Sequence, residues 1–141
     1  MRGRRLGRQA VNITVDTNIL VRSIVRDDEK QAAAADRLLR SASIIAVTLP
    51  CLCEFVWVLI RLYGLSRQDV AAAMRALLAV EKVAADRAAA EAGIAVLEAG
   101  GDFADGVIAF EGRRLGGQTF VSFDRKAIKL LQSAGVSARA A

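Results

Sequence analysis

Four acidic residues stand where solvated surface acids are not usually put. Asp16 directly follows the β-branched run Ile13-Thr14-Val15, and Asp124 directly follows Phe120-Val121-Ser122-Phe123. Both are therefore expected just past the carboxyl ends of strands, the edge of an open α/β sheet where functional groups collect. Glu54 interrupts an apolar helical stretch between Cys53 and Phe55, and Asp105 falls in the first turn of a helix close to Val107 and Ile108. Carboxylates gathered as bare anions raise one another's pKa and oppose folding. A hard divalent cation, Mg²⁺ or Mn²⁺, relieves that repulsion because it takes oxygen ligands. Such an ion can hold a phosphodiester, lower the pKa of a water and stabilise a leaving oxygen. Taken singly, Asp16 and Asp124 could each be a helix N-cap. Asp102 reads better as an N-cap than as a ligand, since Asp102 and Asp105 have the spacing of a cap and its reciprocal acid. No capping role accounts for Glu54. It is the set, not any one member, that points to a cation.

Composition narrows the chemistry further. The chain has no histidine, which removes Ser-His-Asp and Cys-His nucleophiles, His-based nucleases and most zinc and iron sites. Cys51 and Cys53, in a C-x-C before Glu54, cannot alone complete a four-ligand zinc site, and a strain-free disulfide between i and i+2 of a helix is disfavoured. They read as small reduced packing residues. The net charge of +5 leans towards a polyanionic partner, but setting aside Arg2, Arg4, Arg5 and Arg8 leaves only +1. With 54% hydrophobic and 5% aromatic residues, the core must be built from Ala, Val, Leu and Ile. No apolar run approaches the roughly 20 residues of a membrane span, and no signal peptide is seen, so a cytoplasmic protein is expected.

The elements that must position the acids can be read in order. Residues 1–10 read as a flexible basic arm, and 11–141 as a single domain. A strand over Val11–Val15 ends at Asp16, and Thr17 can cap a helix over Asn18–Val25. Asp27-Asp28 opens a helix from Glu29 to Arg40, followed by a strand over Ile44–Thr48 and a helix over about 50–63 with Pro50 in its first turn and Gly64 as its stop. Ser66-Arg67-Gln68-Asp69 resembles a capping box for a helix to about Val80. Further helices are expected over Asp86–Ala99, from Asp102 to about Leu115, and over Arg125–Ser133. A strand over Thr119–Phe123 precedes Asp124, and Val136-Ser137-Ala138 can add an edge strand. Short apolar strands alternating with helices mean a three-layer α/β/α sandwich around a mainly parallel sheet.

Four blocks carry a family resemblance: Asp16-Thr17-Asn18-Ile19-Leu20-Val21-Arg22; Glu54-Phe55-Val56-Trp57-Val58-Leu59 with Tyr63-Gly64; Asp102-Phe103-Ala104-Asp105-Gly106-Val107-Ile108-Ala109; and Ser122-Phe123-Asp124-Arg125-Lys126. In this order and at these separations the sequence resembles the PIN-domain family, specifically the VapC-type ribonuclease toxins of bacterial toxin–antitoxin pairs. The resemblance implies a PIN-like fold with Asp16, Glu54, Asp105 and Asp124 as its four acids. It further implies Mg²⁺- or Mn²⁺-dependent endonucleolytic cleavage of RNA by water. Asn18 would orient the first Asp, Ser122 would line the site, and Asp102 would be an accessory acid. A cognate antitoxin and a homodimer are expected partners. The sequence departs from the family pattern in the preceding basic arm, in Gly106 where Ala is more usual, and in Ser122 for a common Thr.

The same residues bear on other functions. A non-catalytic PIN-fold module, regulating through an antitoxin partner or DNA, would be favoured by loss of one of the four acids, and none is lost. An Asp-based phosphatase wants an acid where Asn18 stands, and a receiver wants an acidic pair and a later Lys that are not seen. Arg22, Arg125 and Lys126 lie within a turn or two of the acids and could hold RNA phosphates. Trp57 could stack a base, although its helical spacing from Cys53 and Ile60 favours core or dimer packing.

Overall fold

A computed structural model describes residues 10–141; the basic arm expected over 1–10 lies, except for Ala10, outside them. Strands β1 (Asn12–Thr14), β2 (Ile44–Ala46) and β3 (Val83–Ala84) form one parallel ladder in that order, with Asn12 opposite Ile44 and Ile45 opposite Val83. Strands β4 (Phe120–Ser122) and β5 (Ala138–Ala140) form a second parallel ladder, with Phe120 opposite Ala138. Parallel neighbours cannot be joined by tight hairpins, so helices carry the chain back between them. Seven are described: α1 (Thr17–Ile24), α2 (Glu29–Ser41), α3 (Leu49–Arg61), α4 (Arg67–Ala79), α5 (Arg87–Glu98), α6 (Phe103–Arg114) and α7 (Arg125–Ser133). This is the expected α/β architecture.

Most helices start where a short polar side chain can take up a free amide at the N-terminus. Asp28, Thr48, Ser66 and Asp86 each accept from the backbone N–H three residues on. Pro50 sits in the first turn of α3, and Gly64, at φ 68°, supplies the left-handed backbone just beyond its end. Three details differ from expectation. Thr17 does not cap α1; it is the first helical residue, because Asp16 has the extended backbone of a cap and accepts from Ile19 N–H at 3.2 Å. Strand β3 was not foreseen, since two residues show no period. The last strand lies at Ala138–Ala140, two residues later than expected.

The main core is aliphatic, as the composition requires. Leu20, Leu52, Phe55, Leu59, Met74, Ile94, Leu97 and Phe103 are all buried in it. A smaller cluster of Val96, Ile128, Leu131 and Ala138 fastens α7, β4 and β5 to the rest. Helices α5 and α6 approach closely because both present glycine at their contact. A Cβ on Gly106 would lie 2.8 Å from Gly93 Cα and closer still to the Ala92 carbonyl oxygen. The Phe103 ring packs over Gly93 in the space a side chain would fill. Gly106 is thus set by helix packing in this chain, and the alanine more usual there would not fit without movement.

Candidate active site

The first corner of the site is built where β1 hands over to α1. Asp16 is held by its cap bond to Ile19 N–H and its carboxylate remains exposed. Thr17, the buried polar residue of this corner, turns its hydroxyl inward. Its Oγ1 donates a short hydrogen bond to Glu54 Oε1 on α3 and lies 4.0 Å from Cys51 Sγ. Glu54 corrects an expectation: it does not sit in an apolar interior but on the solvent side of α3, while Leu52, Phe55, Val56 and Leu59 take the helix's inward face. The Cys51 thiol is pushed up by burial, opposed by its contact with Thr17 and reinforced by the charges of Asp16 and Glu54. Burial also raises the Cys53 thiol. Both cysteines therefore stay protonated and free, as packing residues should.

The second corner is built where α6 meets the end of β4. Asp124 caps α7, accepting from Ala127 N–H at 3.1 Å, and its own N–H donates to Ser122 Oγ at 2.9 Å. Ser122 therefore fixes the loop that carries Asp124. Asp102 occupies the cap position of α6 but makes no side-chain cap bond, so the expected capping role is not what its carboxylate does. The first turn closes instead through the backbone, Asp105 N–H donating to the Asp102 carbonyl at 3.1 Å. Asp105, half-buried in that turn, is held above the ordinary carboxylate range by burial first, then by the charges of Asp102 and Asp124. These acids are near enough to oppose one another's ionisation.

The structure thus brings Asp16 and Glu54 around Thr17 and Cys51, and gathers Asp105 with Asp102 and Asp124. Glu54 and Asp102 line one cleft that joins the two corners. Among the described residues, no three acidic or thiol side chains converge on one point as an ion's ligands would. The donors fit a hard cation in kind, being carboxylate oxygens without histidine or thiolate. They stand in two groups, one at the start of α1 and on α3, the other at the start of α6 and of α7. Asn18 is exposed in the first turn of α1 and makes no hydrogen bond to Asp16 among the described residues; Ile19 N–H orients that acid. Thr17 is the residue of this corner whose contact with Glu54 the sequence does not show. Its hydroxyl next to Asp16 resembles an ordinary cap, and only the packing of α1 against α3 shows what it reaches.

The basic residues divide. Arg22 is committed to structure: its guanidinium donates to Asp27 at 2.6 Å, to Gln31 at 2.7 Å and to Tyr63 at 3.3 Å. Arg125 and Lys126 are exposed beside Asp124, with no ion pair among the described residues. Trp57 is not a core residue; it is 54% exposed and lines the cleft beside Glu54.

The chain is thus a parallel α/β domain with acids at its strand ends and along an adjoining cleft. The PIN domain family model matches residues 13–131, and the chain belongs to that family. PIN domains are typically nucleases, and they usually use divalent metal ions. No match to this chain is found among curated proteins. No helix among the described residues is long and apolar enough to cross a membrane.

Proposed function

We propose that the protein is a metal-dependent endoribonuclease, the toxin of a toxin–antitoxin pair, acting in the cytoplasm as a homodimer restrained by its antitoxin. The observation that carries the nuclease reading is the placement of Asp105 and Asp102 in the first turn of α6 beside Asp124 at the end of β4, in a chain matched by the PIN domain model. Carboxylates gathered at one sheet edge without a basic partner between them offer the oxygen ligands a hard divalent cation takes. Asp16, Glu54, Asp105 and Asp124 would hold Mg²⁺ or Mn²⁺, with Asp102 as an accessory acid. Bound there, the ion would supply charge neutralisation at the phosphodiester and activation of water. Thr17 fixes Glu54 through its hydroxyl, and Ser122 fixes the Asp124 loop through the Asp124 N–H. Arg125 and Lys126, free at the α7 start, hold phosphates of the RNA. Arg22, engaged with Asp27, serves the scaffold instead. The toxin assignment rests on the order and spacing of the four sequence blocks.

The test is incubation of partner-free protein with total RNA and Mg²⁺ or Mn²⁺, against EDTA and against Asp105→Asn. Cleavage that needs the metal and disappears in the variant is expected. A second reading, a non-catalytic module that binds an antitoxin or DNA, is favoured by the two-sided spread of the acids, no three of which converge among the described residues. Folded protein that binds Mn²⁺ yet cuts no class of RNA would establish that second reading in place of the first.

A further inference from the structure

The cleft that joins the two corners continues past the acids along α3. Glu54, Trp57 and Arg61 follow one another at i, i+3 and i+7, so they form one stripe on that helix. From Glu54 to Arg61 the helix rises about 10 Å, the length of roughly three nucleotide steps of a stacked strand. The cleft has a volume of about 590 Å³, with Val56, Leu97 and Phe103 among its apolar lining. Trp57 lies on its wall with half of its surface in water. Arg61 and Arg67 complete it. Arg67 donates Nε–H to the Gly101 carbonyl at 3.3 Å, which anchors its stem near the cleft and leaves the terminal nitrogens to other partners. Arg26, Arg75 and Arg114 are each paired with carboxylates, whereas Arg61 and Arg67 make no ion pair among the described residues.

We propose that this cleft is a nucleotide subsite, in which Trp57 stacks an unpaired base and Arg61 and Arg67 hold the adjoining phosphates. The proposal rests on the ribonuclease reading and adds to it the residues that hold the nucleotides next to the cut. An indole face with two unpaired guanidinium groups is the combination by which proteins grip single strands: stacking accepts the base and the cations follow the backbone. Charge fits this occupant. The basic end of the stripe meets phosphate directly, and the acidic end belongs to the cleavage site. Base-paired RNA is excluded, since a base inside a duplex has no free face to offer the indole.

Trp57 is the single tryptophan of the sequence, so its emission reports on the subsite alone. The experiment titrates the protein, in EDTA and at low salt, with a short single-stranded RNA of mixed sequence and with an abasic strand of equal length. Quenching by the base-bearing strand, and much less by the abasic one, is expected. Trp57→Ala should weaken binding about tenfold, measured by a label on the RNA, with Trp57→Phe restoring most of it. Arg61→Gln and Arg67→Gln should each lower the slope of log affinity against log salt by about 0.7. No binding at low salt, or binding with unchanged Trp57 emission, overturns the proposal. An emission maximum that shifts with protein concentration in the absence of RNA also overturns it, making this face a contact between copies. Cleavage is scored separately with Mg²⁺ or Mn²⁺. Metal-dependent cleavage with Trp57-independent binding removes the subsite only, and Trp57-dependent binding without cleavage removes the nuclease reading only.

Discussion

Asp105 shows most directly how a single position can carry a cost in stability. Its carboxyl is raised by burial and by Asp102 and Asp124, so the folded chain holds that proton more tightly than the unfolded chain does. The sign follows: the associated stability is full at acid pH, below the unfolded carboxylate pKa, and is lost as pH rises through the higher folded value. Asp105→Asn should therefore raise the Tm of metal-free protein at pH 7 by up to a few degrees and give no gain near pH 3, while abolishing cleavage. Thermal scans at the two pH values check this; equal Tm for the two proteins at pH 7 would mean the carboxyl is not under strain. Thr17 makes the complementary case. Removing its hydroxyl with Thr17→Val leaves Glu54 unguided, and a loss of roughly 1 kcal/mol from one hydrogen bond predicts about a fivefold fall in kcat. Thr17→Ser should recover it, and a Tm within about 2 °C of the parent would separate positioning from folding. The strand-end acids were legible in the sequence because β-branched runs stop at Asp16 and Asp124. Thr17 was not, since an inward hydroxyl on α1 becomes visible only once α3 lies against it. Asp102 misled for a related reason: its spacing to Asp105 is that of a capping pair, yet the turn is closed by backbone alone.

At the level of elements, the contact between α5 and α6 places Asp102 and Asp105, and it depends on the absence of side chains. Gly106→Ala should destabilise the protein by about 1–3 kcal/mol, because the added methyl meets backbone of α5 that cannot yield as a flexible side chain would. Gly112→Ala, in the same helix with nothing within 4 Å of the added Cβ, should instead stabilise by up to about 1 kcal/mol. Urea melts of both variants check the pair, and equal effects would show that helix propensity rather than packing governs α6. The helices were readable nearly to the residue, since cap residues and apolar spacing agree in α2, α4 and α7. The strands were readable in place but not in extent. Pairing trims the Val11–Val15 run to Asn12–Thr14, and β3 takes its identity from β2 rather than from its own two residues.

Across the whole molecule, the acids belong to two differently fastened parts. Asp16 and Glu54 stand on the main core, whereas Asp124 stands between β4 and α7, whose anchor is the small cluster around Ile128 and Leu131. Fewer buried contacts mean easier local opening. Amides of β4, β5 and α7 should therefore exchange hydrogen faster than those of α3 and α5, and Mn²⁺ should slow them selectively by linking Asp124 to the rest. Uniform exchange, unchanged by Mn²⁺, would contradict both statements. This division was not visible in the sequence, where Ile128 and Leu131 look like any other helical stripe.

The same arrangement orders events during synthesis. The acids on the main core are made first, Asp105 and Asp124 well afterwards, and the ladder partner of β4 only once Ala140 has been added. Chains grow and fold from the N-terminus. On the proposed reading, a nascent chain halted before β5 lacks the ladder that supports its fourth acid, so the ribosome carries an inert precursor. On that reading, activity waits for the closing of the second ladder.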